Sequence, residues 1–164
     1  MYRLVNERRK TEEDEQKMRE FLGINDLVVA EIKSVSKVDF NINLHLRHEK
    51  FGKLQKGALV SVNNSLIKRM TKHIIEYEEL EFIFAVNGFI WIKSLNSCPE
   101  SLEKVAKFRN IIRILDDAMI PMYPTLLIEL FTQFADVKAK DLLFISNRLK
   151  ISESVKASII ARNN

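Results

Sequence analysis

Two apolar runs, Phe82-Ile83-Phe84-Ala85-Val86 and Phe89-Ile90-Trp91-Ile92, flank the dipeptide Asn87-Gly88. Runs rich in aromatic and β-branched residues on either side of Asn-Gly predict an antiparallel hairpin. The expected two-residue turn needs positive φ at both central positions, which Asn and Gly tolerate best. A bare hairpin is marginal in water, so the rest of the chain has to extend this sheet and cover a face of it.

The flanking sequence offers the material. A short strand is expected over 58–62, followed by a helix from Asn63 or Asn64 to about Lys72. After Ser97 the pattern turns helical: Leu102, Val105, Phe108, Ile112 and Leu115 recur at three- and four-residue spacing, with Ser101 as cap. Pro121 and Pro124 end that helix and set up another over 125–134. Two shorter helices are expected over 138–149 and 152–161, the last capped by Ser152.

Upstream, Thr11-Glu12-Glu13-Asp14 has the form of a capping box, and Glu12, Glu13, Asp14 and Glu15 suit the positive end of a helix dipole better than a metal site. Met18, Phe21 and Leu22 would form the apolar stripe of that helix, and Gly23 its left-handed cap. Two strands should follow, over 26–35 and 40–46. In the second, Phe40, Ile42, Leu44 and Leu46 alternate with Asn41, Asn43 and His45. Joined through Ser36-Lys37-Val38-Asp39 they make a second hairpin, which must also complete a larger sheet.

A chain of 164 residues with 46% hydrophobic and 29% charged residues suits one domain or two small ones. No apolar run approaches the roughly 18 residues of a membrane span, and no signal-peptide core opens the chain. A single cysteine, Cys98, cannot form an internal disulfide, so a reducing compartment is expected. The net charge of +4 is uneven. Between His45 and His73 stand seven cations (Arg47, Lys50, Lys53, Lys56, Lys68, Arg69, Lys72) against one anion, Glu49. Such a block fits phosphates, an acidic protein surface, or a solvated face alike.

Catalytic constellations are missing. His45, His48 and His73 have no Cys or carboxylate at metal-ligand spacing, and His45 and His48 sit beside Arg47 and Lys50. Four isolated glycines build no phosphate-cradling loop. Asp116-Asp117 is the one acidic pair of interest, and adjacent helix positions diverge by about 100°. The chain is therefore expected not to be an enzyme and to carry no cofactor or metal.

Several segments, in order, resemble one family. They are Asp26-Leu27-Val28-Val29-Ala30-Glu31-Ile32, Leu44-His45-Leu46-Arg47, Lys50-Phe51-Gly52-Lys53-Leu54, Gly57, Leu66-Ile67-Lys68-Arg69 and Asn87-Gly88-Phe89-Ile90-Trp91-Ile92. Together with Arg8-Arg9-Lys10 before the first helix, and Arg109-Asn110-Ile111-Ile112, the set is similar to the OB/KH-type cap subunits of the eukaryotic RNA exosome. The resemblance runs over roughly residues 8–120 and fades after Pro124.

That resemblance implies an α+β fold: the C-terminal part of an OB-fold barrel of the ribosomal-protein-S-one type, then a KH-like α/β domain with a helical C-terminal extension. The expected boundaries are 1–47 for the partial barrel (helix plus last two strands), 48–57 for a junction, 58–120 for the KH-like domain and 121–164 for the extension. The family's N-terminal domain and first three barrel strands have no counterpart here, although an OB barrel takes five strands. An exposed edge would then make the chain poorly soluble alone. The family's Gly-x-Asn-Gly is Ala85-Val86-Asn87-Gly88 here, so Asn87 and Gly88 are expected to serve as a structural turn rather than an RNA clamp.

The implied role is non-catalytic: clamping the phosphorolytic-nuclease-like ring subunits beside other cap subunits, and guiding single-stranded RNA into the central channel for 3′–5′ processing and degradation. Expected partners are those subunits, in a hetero-oligomer, and single-stranded RNA, with no membrane. The expected location is the nucleus, nucleolus included, and the cytoplasm. Expected RNA contacts are Arg8, Arg9, Lys10, Arg47, His48 and Lys50; Phe51, Lys53, Lys68, Arg69 and Trp91 could face the ring. An OB/KH module outside the exosome, or an assembly scaffold without RNA contact, would suit the same residues.

Overall fold

The computed structural model describes residue 12 and residues 16–46, 50–96 and 98–163, without the side chains of residue 18 and residues 158–163. The chain divides into two units, residues 1–55 and 56–164. The mixed helices and strands form the expected α+β fold with C-terminal helices.

In the first unit the described elements are α1 (Met18–Phe21), β1 (Val28–Val29), β2 (Glu31–Val35), β3 (Ile42–His45) and β4 (Gly52–Lys53). The expected strand over 26–35 splits at Ala30. β1 pairs antiparallel with β4, while β2 pairs antiparallel with β3. A register shift between Ile32 and Ser34 leaves Lys33 as a bulge. Phe40 is not in the strand: its φ of 54° places it in the turn, and it is 80% exposed. Ile42 and Leu44 follow at 57% and 51%, whereas Leu46 is buried. The alternation of β3 is therefore present but its apolar face is open. Gly23 does not take the left-handed conformation; Asn25, at φ 72°, does so within the turn closed by Asp26 N donating to Gly23 O at 3.3 Å, and the Gly23 amide donates to Asp26 Oδ2 at 2.7 Å. Among the capping-box residues only Glu12 lies within the described residues.

The second unit carries β5 (Gly57–Ser61), β6 (Ile74–Tyr77), β7 (Leu80–Phe84) and β8 (Phe89–Ser94) in one antiparallel sheet of order β5-β8-β7-β6. Five helical pieces follow or interrupt it among the described residues: a 3₁₀ turn at Asn64–Leu66, then α2 (Pro99–Asp117), α3 (Pro124–Gln133), a second 3₁₀ turn at Asp141–Leu143, and α4 (Ile145–Asn163). One sheet face is built by Val60, Phe82, Phe84, Ile90 and Ile92, with Phe82 opposite Ile92 and Phe84 opposite Ile90. That face packs with Val105, Phe108, Ile111, Ile112 and Leu115 of α2. Phe108 is its hub, stacked on Phe131 at 4.3 Å and edge-on to Phe82 at 4.8 Å between ring centroids.

Several local expectations gave way to tertiary contacts. The helix over 63–72 is only the 3₁₀ turn, because Lys68 N donates to Met122 O and Met122 N to Leu66 O, holding 66–68 extended in a parallel bridge. β6, unexpected from sequence, pairs with β7 through Ile74–Ile83 to Tyr77–Leu80. The cap of α2 is Cys98 with Pro99 at the first turn, which suits proline's missing N–H. Ser101 is instead buried and donates to Glu79 Oε2 at 2.7 Å, holding the Glu79 carboxyl below its ordinary pKa. Leu102 is 58% exposed, so the stripe of α2 is shifted. It is also wider, since Lys107 Nζ and Asn110 Nδ2 donate to the carbonyls of Ala135 and Ala139. The two expected C-terminal helices are one, and Ser152 lies inside α4.

Candidate nucleic-acid interface

The hairpin turn is one residue longer than Asn-Gly alone implies. Ala85 N donates to Phe89 O at 2.9 Å and Gly88 N to Ala85 O at 3.4 Å, so the loop has three residues, Val86, Asn87 and Gly88. Only Gly88 has positive φ, at 90°; the expected two-residue turn with both positions positive is replaced by a turn closed on a glycine. Asn87 Oδ1 accepts from Phe89 N at 3.3 Å. A Cβ on Gly88 would lie 2.5 Å from Val62 O, and Val62 N donates to Gly88 O at 2.8 Å. The turn thus sits directly against the chain leaving β5.

That chain is itself fastened. Asp116 Oδ1 accepts from Asn63 N at 2.9 Å, and Asn63 Oδ1 accepts from the amide and hydroxyl of Ser65 at 3.1 and 2.9 Å. The Lys68 ammonium stands 4.4 Å from the centroid of the Tyr123 ring, a cation–π distance. His73 Nδ1 lies 3.0 Å from Phe84 O, which can only accept, so this nitrogen carries the proton. Between the 64–73 segment and Val86 lies an open groove of about 630 Å³, and among the described residues no carboxylate lines it.

The remaining candidate residues are placed as follows. Arg8, Arg9, Lys10, Arg47 and His48 lie outside the described residues. Lys50 is exposed and Phe51 half-buried. Lys53 in β4 pairs with Asp26 at 2.7 Å, and that hydrogen bond, with the Gly23 amide second, holds the Asp26 carboxyl below its ordinary range. Arg69 is exposed beside Lys68. Trp91 is 6% exposed and has little surface to offer; a Cβ on Gly57 would meet its ring at 2.5 Å, so glycine is required where strand β5 passes the indole. Asp116 caps the Asn63 turn and Asp117 pairs with Arg148, so both acids have structural partners. Sequence reasoning named Lys68 and Arg69 but did not assign Ser65 and His73, a few residues to either side, to their site, and it missed Val86, which only tertiary folding brings beside them.

Among the described residues no group of His, Cys, Asp or Glu could hold a metal ion, and no helix is long and apolar enough to cross a membrane.

Comparison with known proteins finds a family described as "RRP4, S1 domain" over residues 3–34 and a family described as "KH domain" over residues 57–97. Exosome complex component RRP4 of Bos taurus is 33% identical over 153 residues, covering 83% of this chain and 52% of that protein. The RRP4 homolog of Caenorhabditis elegans is 42% identical over 96 residues, 57% of this chain and 30% of its own length. RRP4 of Saccharomyces cerevisiae is 40% identical over 87 residues, 52% of this chain and 24% of its own. The chain thus spans about half, or less, of the curated relatives it matches.

Proposed function

We propose, on the premise that this chain is a relative of exosome complex component RRP4 with S1 and KH segments of that kind, that it works as a non-catalytic RNA-binding subunit of an exosome. In this reading it sits with other cap subunits on the phosphorolytic-nuclease-like ring and guides single-stranded RNA toward the channel. It acts in the nucleus, nucleolus included, and in the cytoplasm. The observation that carries the reading is the run of similarity to RRP4 over 153 residues, with an S1 match at 3–34 and a KH match at 57–97 in that order. The open apolar face of the β2–β3 hairpin supports it too, because exposed apolar strands call for a covering surface.

RNA contact would rest on phosphates met by Lys and Arg, without reading of sequence. Arg8, Arg9, Lys10, Arg47, His48 and Lys50 remain the proposed contacts near the barrel segment. The test is affinity purification of the tagged chain from its own cells. Recovery of ring and cap subunits in stoichiometric amounts is expected. A purification that brings down RNA but no ring subunit would overturn the exosome reading in favour of an independent RNA-binding module.

A further inference from the structure

We propose that the groove between the 64–73 segment and Val86 takes one nucleotide of single-stranded RNA, a site that deepens the RNA-binding reading above and rests on it. At about 630 Å³ the groove lies within the roughly 300–1,000 Å³ of small-ligand sites. Its lining supplies three chemistries in one place. Ile67 and Val86 give apolar surface on which a base can lie, and Ser65 and His73 give polar atoms for its edge. Lys68 and Arg69 give positive charge for the flanking phosphates.

Lys68, Ser65, His73 and the turn that carries Val86 are each held by a neighbour. Lys68 is steadied over Tyr123, so less side-chain freedom is lost when it meets a phosphate. The hydroxyl of Ser65 donates to Asn63 Oδ1, which leaves its oxygen as an acceptor toward a base N–H. With Nδ1 of His73 turned to Phe84 O, Nε2 is the ring nitrogen left to meet a base edge. Among the described residues the lining has no carboxylate to repel a phosphate. The Gly88 turn keeps Val86 in place, because its backbone is packed on Val62 and Asn64. An acidic protein segment would use the cations but has no need of an apolar floor beside a row of acceptors, so the combination favours a nucleobase.

The experiment uses the full chain and a fluorescent single-stranded oligouridine, read by anisotropy. The double variant K68E/R69E should weaken binding by about tenfold or more at physiological salt, and R69A should make the salt slope shallower by about 0.7. K37E, in the turn before β3 and outside the groove, should change affinity less than about twofold. Photocrosslinking with thiouridine-substituted RNA should map to peptides containing residues 64–73 and 86. Equal binding by K68E/R69E, or crosslinks confined to other segments, would overturn the site. So would an acidic peptide that displaces the RNA at comparable concentration. Co-purification separates this site from the wider reading. A K68E/R69E chain that keeps its ring subunits but loses RNA supports the groove. One that keeps RNA and loses the ring assigns Lys68 and Arg69 to the ring interface instead.

Discussion

The two units use the same kind of sheet and end in opposite states. In the second, β7 and β8 place Phe82, Phe84, Ile90 and Ile92 under α2, where Phe84 is 1% exposed and Ile90 and Ile92 are wholly buried. In the first, the alternating residues of β3 meet no such layer, and Phe40, Ile42 and Leu44 remain open. β3 alternates apolar with polar residues, whereas β7 and β8 are apolar nearly throughout and β7 is buried at every position. The difference lies in what covers the patterned face: the KH-type sheet carries its helices in the following sequence, whereas the OB-type hairpin has only β1, β4 and a short helix among the described residues. Pattern sets which side chains share a face, and packing decides whether that face becomes a core.

The sharpest way to break this contrast is to cut a large side chain from each unit. Phe108→Ala should cost about 3–5 kcal/mol of stability, because the ring is fully buried between Phe82 and Phe131. Ile42→Ala in the open hairpin should stay within about 0.5 kcal/mol. Denaturant midpoints of the two variants decide it: comparable losses would mean that the hairpin has a core after all.

Gly88→Ala should follow, with a loss of about 1–3 kcal/mol from a Cβ forced on Val62 O at positive φ. Its readout is the same midpoint, together with the amide shifts of residues 62–64. Unchanged shifts would show that the turn does not support the groove.

The smallest effect concerns the first unit's ion pair. With Asp26 held below its ordinary pKa chiefly by Lys53, any stability it contributes is present above the ordinary carboxylate value and lost as pH falls through the lowered one. An NMR titration of the Asp26 carboxyl should give a midpoint below that of an exposed Asp, and Lys53→Met should move it back up. A midpoint unmoved by the substitution would remove the pair as the link between the β1 end and β4.

Much of the second unit was legible because its signals are local. The apolar runs around Asn87-Gly88 and the spacing of Val105, Phe108, Ile112 and Leu115 each act within a few residues. What failed was decided at a distance. Residues 66–68 are drawn out of a helix by Met122, Ser101 is taken from its cap role by Glu79, and Ser152 is carried through α4, where serine is only mildly unfavourable. The groove was illegible for the same reason. Lys68 and Arg69 could be seen as cations, but nothing near them in sequence announces that Val86 stands beside them.

Hydrogen exchange on the free chain and on the chain within its purified assembly tests the account most directly, because it reads both units at once. Amides of β5, β7 and β8 should exchange slowly in both samples, and those of β2 and β3 should be slow only in the assembly. Protection of β2 and β3 in the free chain, or fast exchange there in the assembly, would contradict the claim that the apolar face of this hairpin lies open in the chain alone and needs a covering surface.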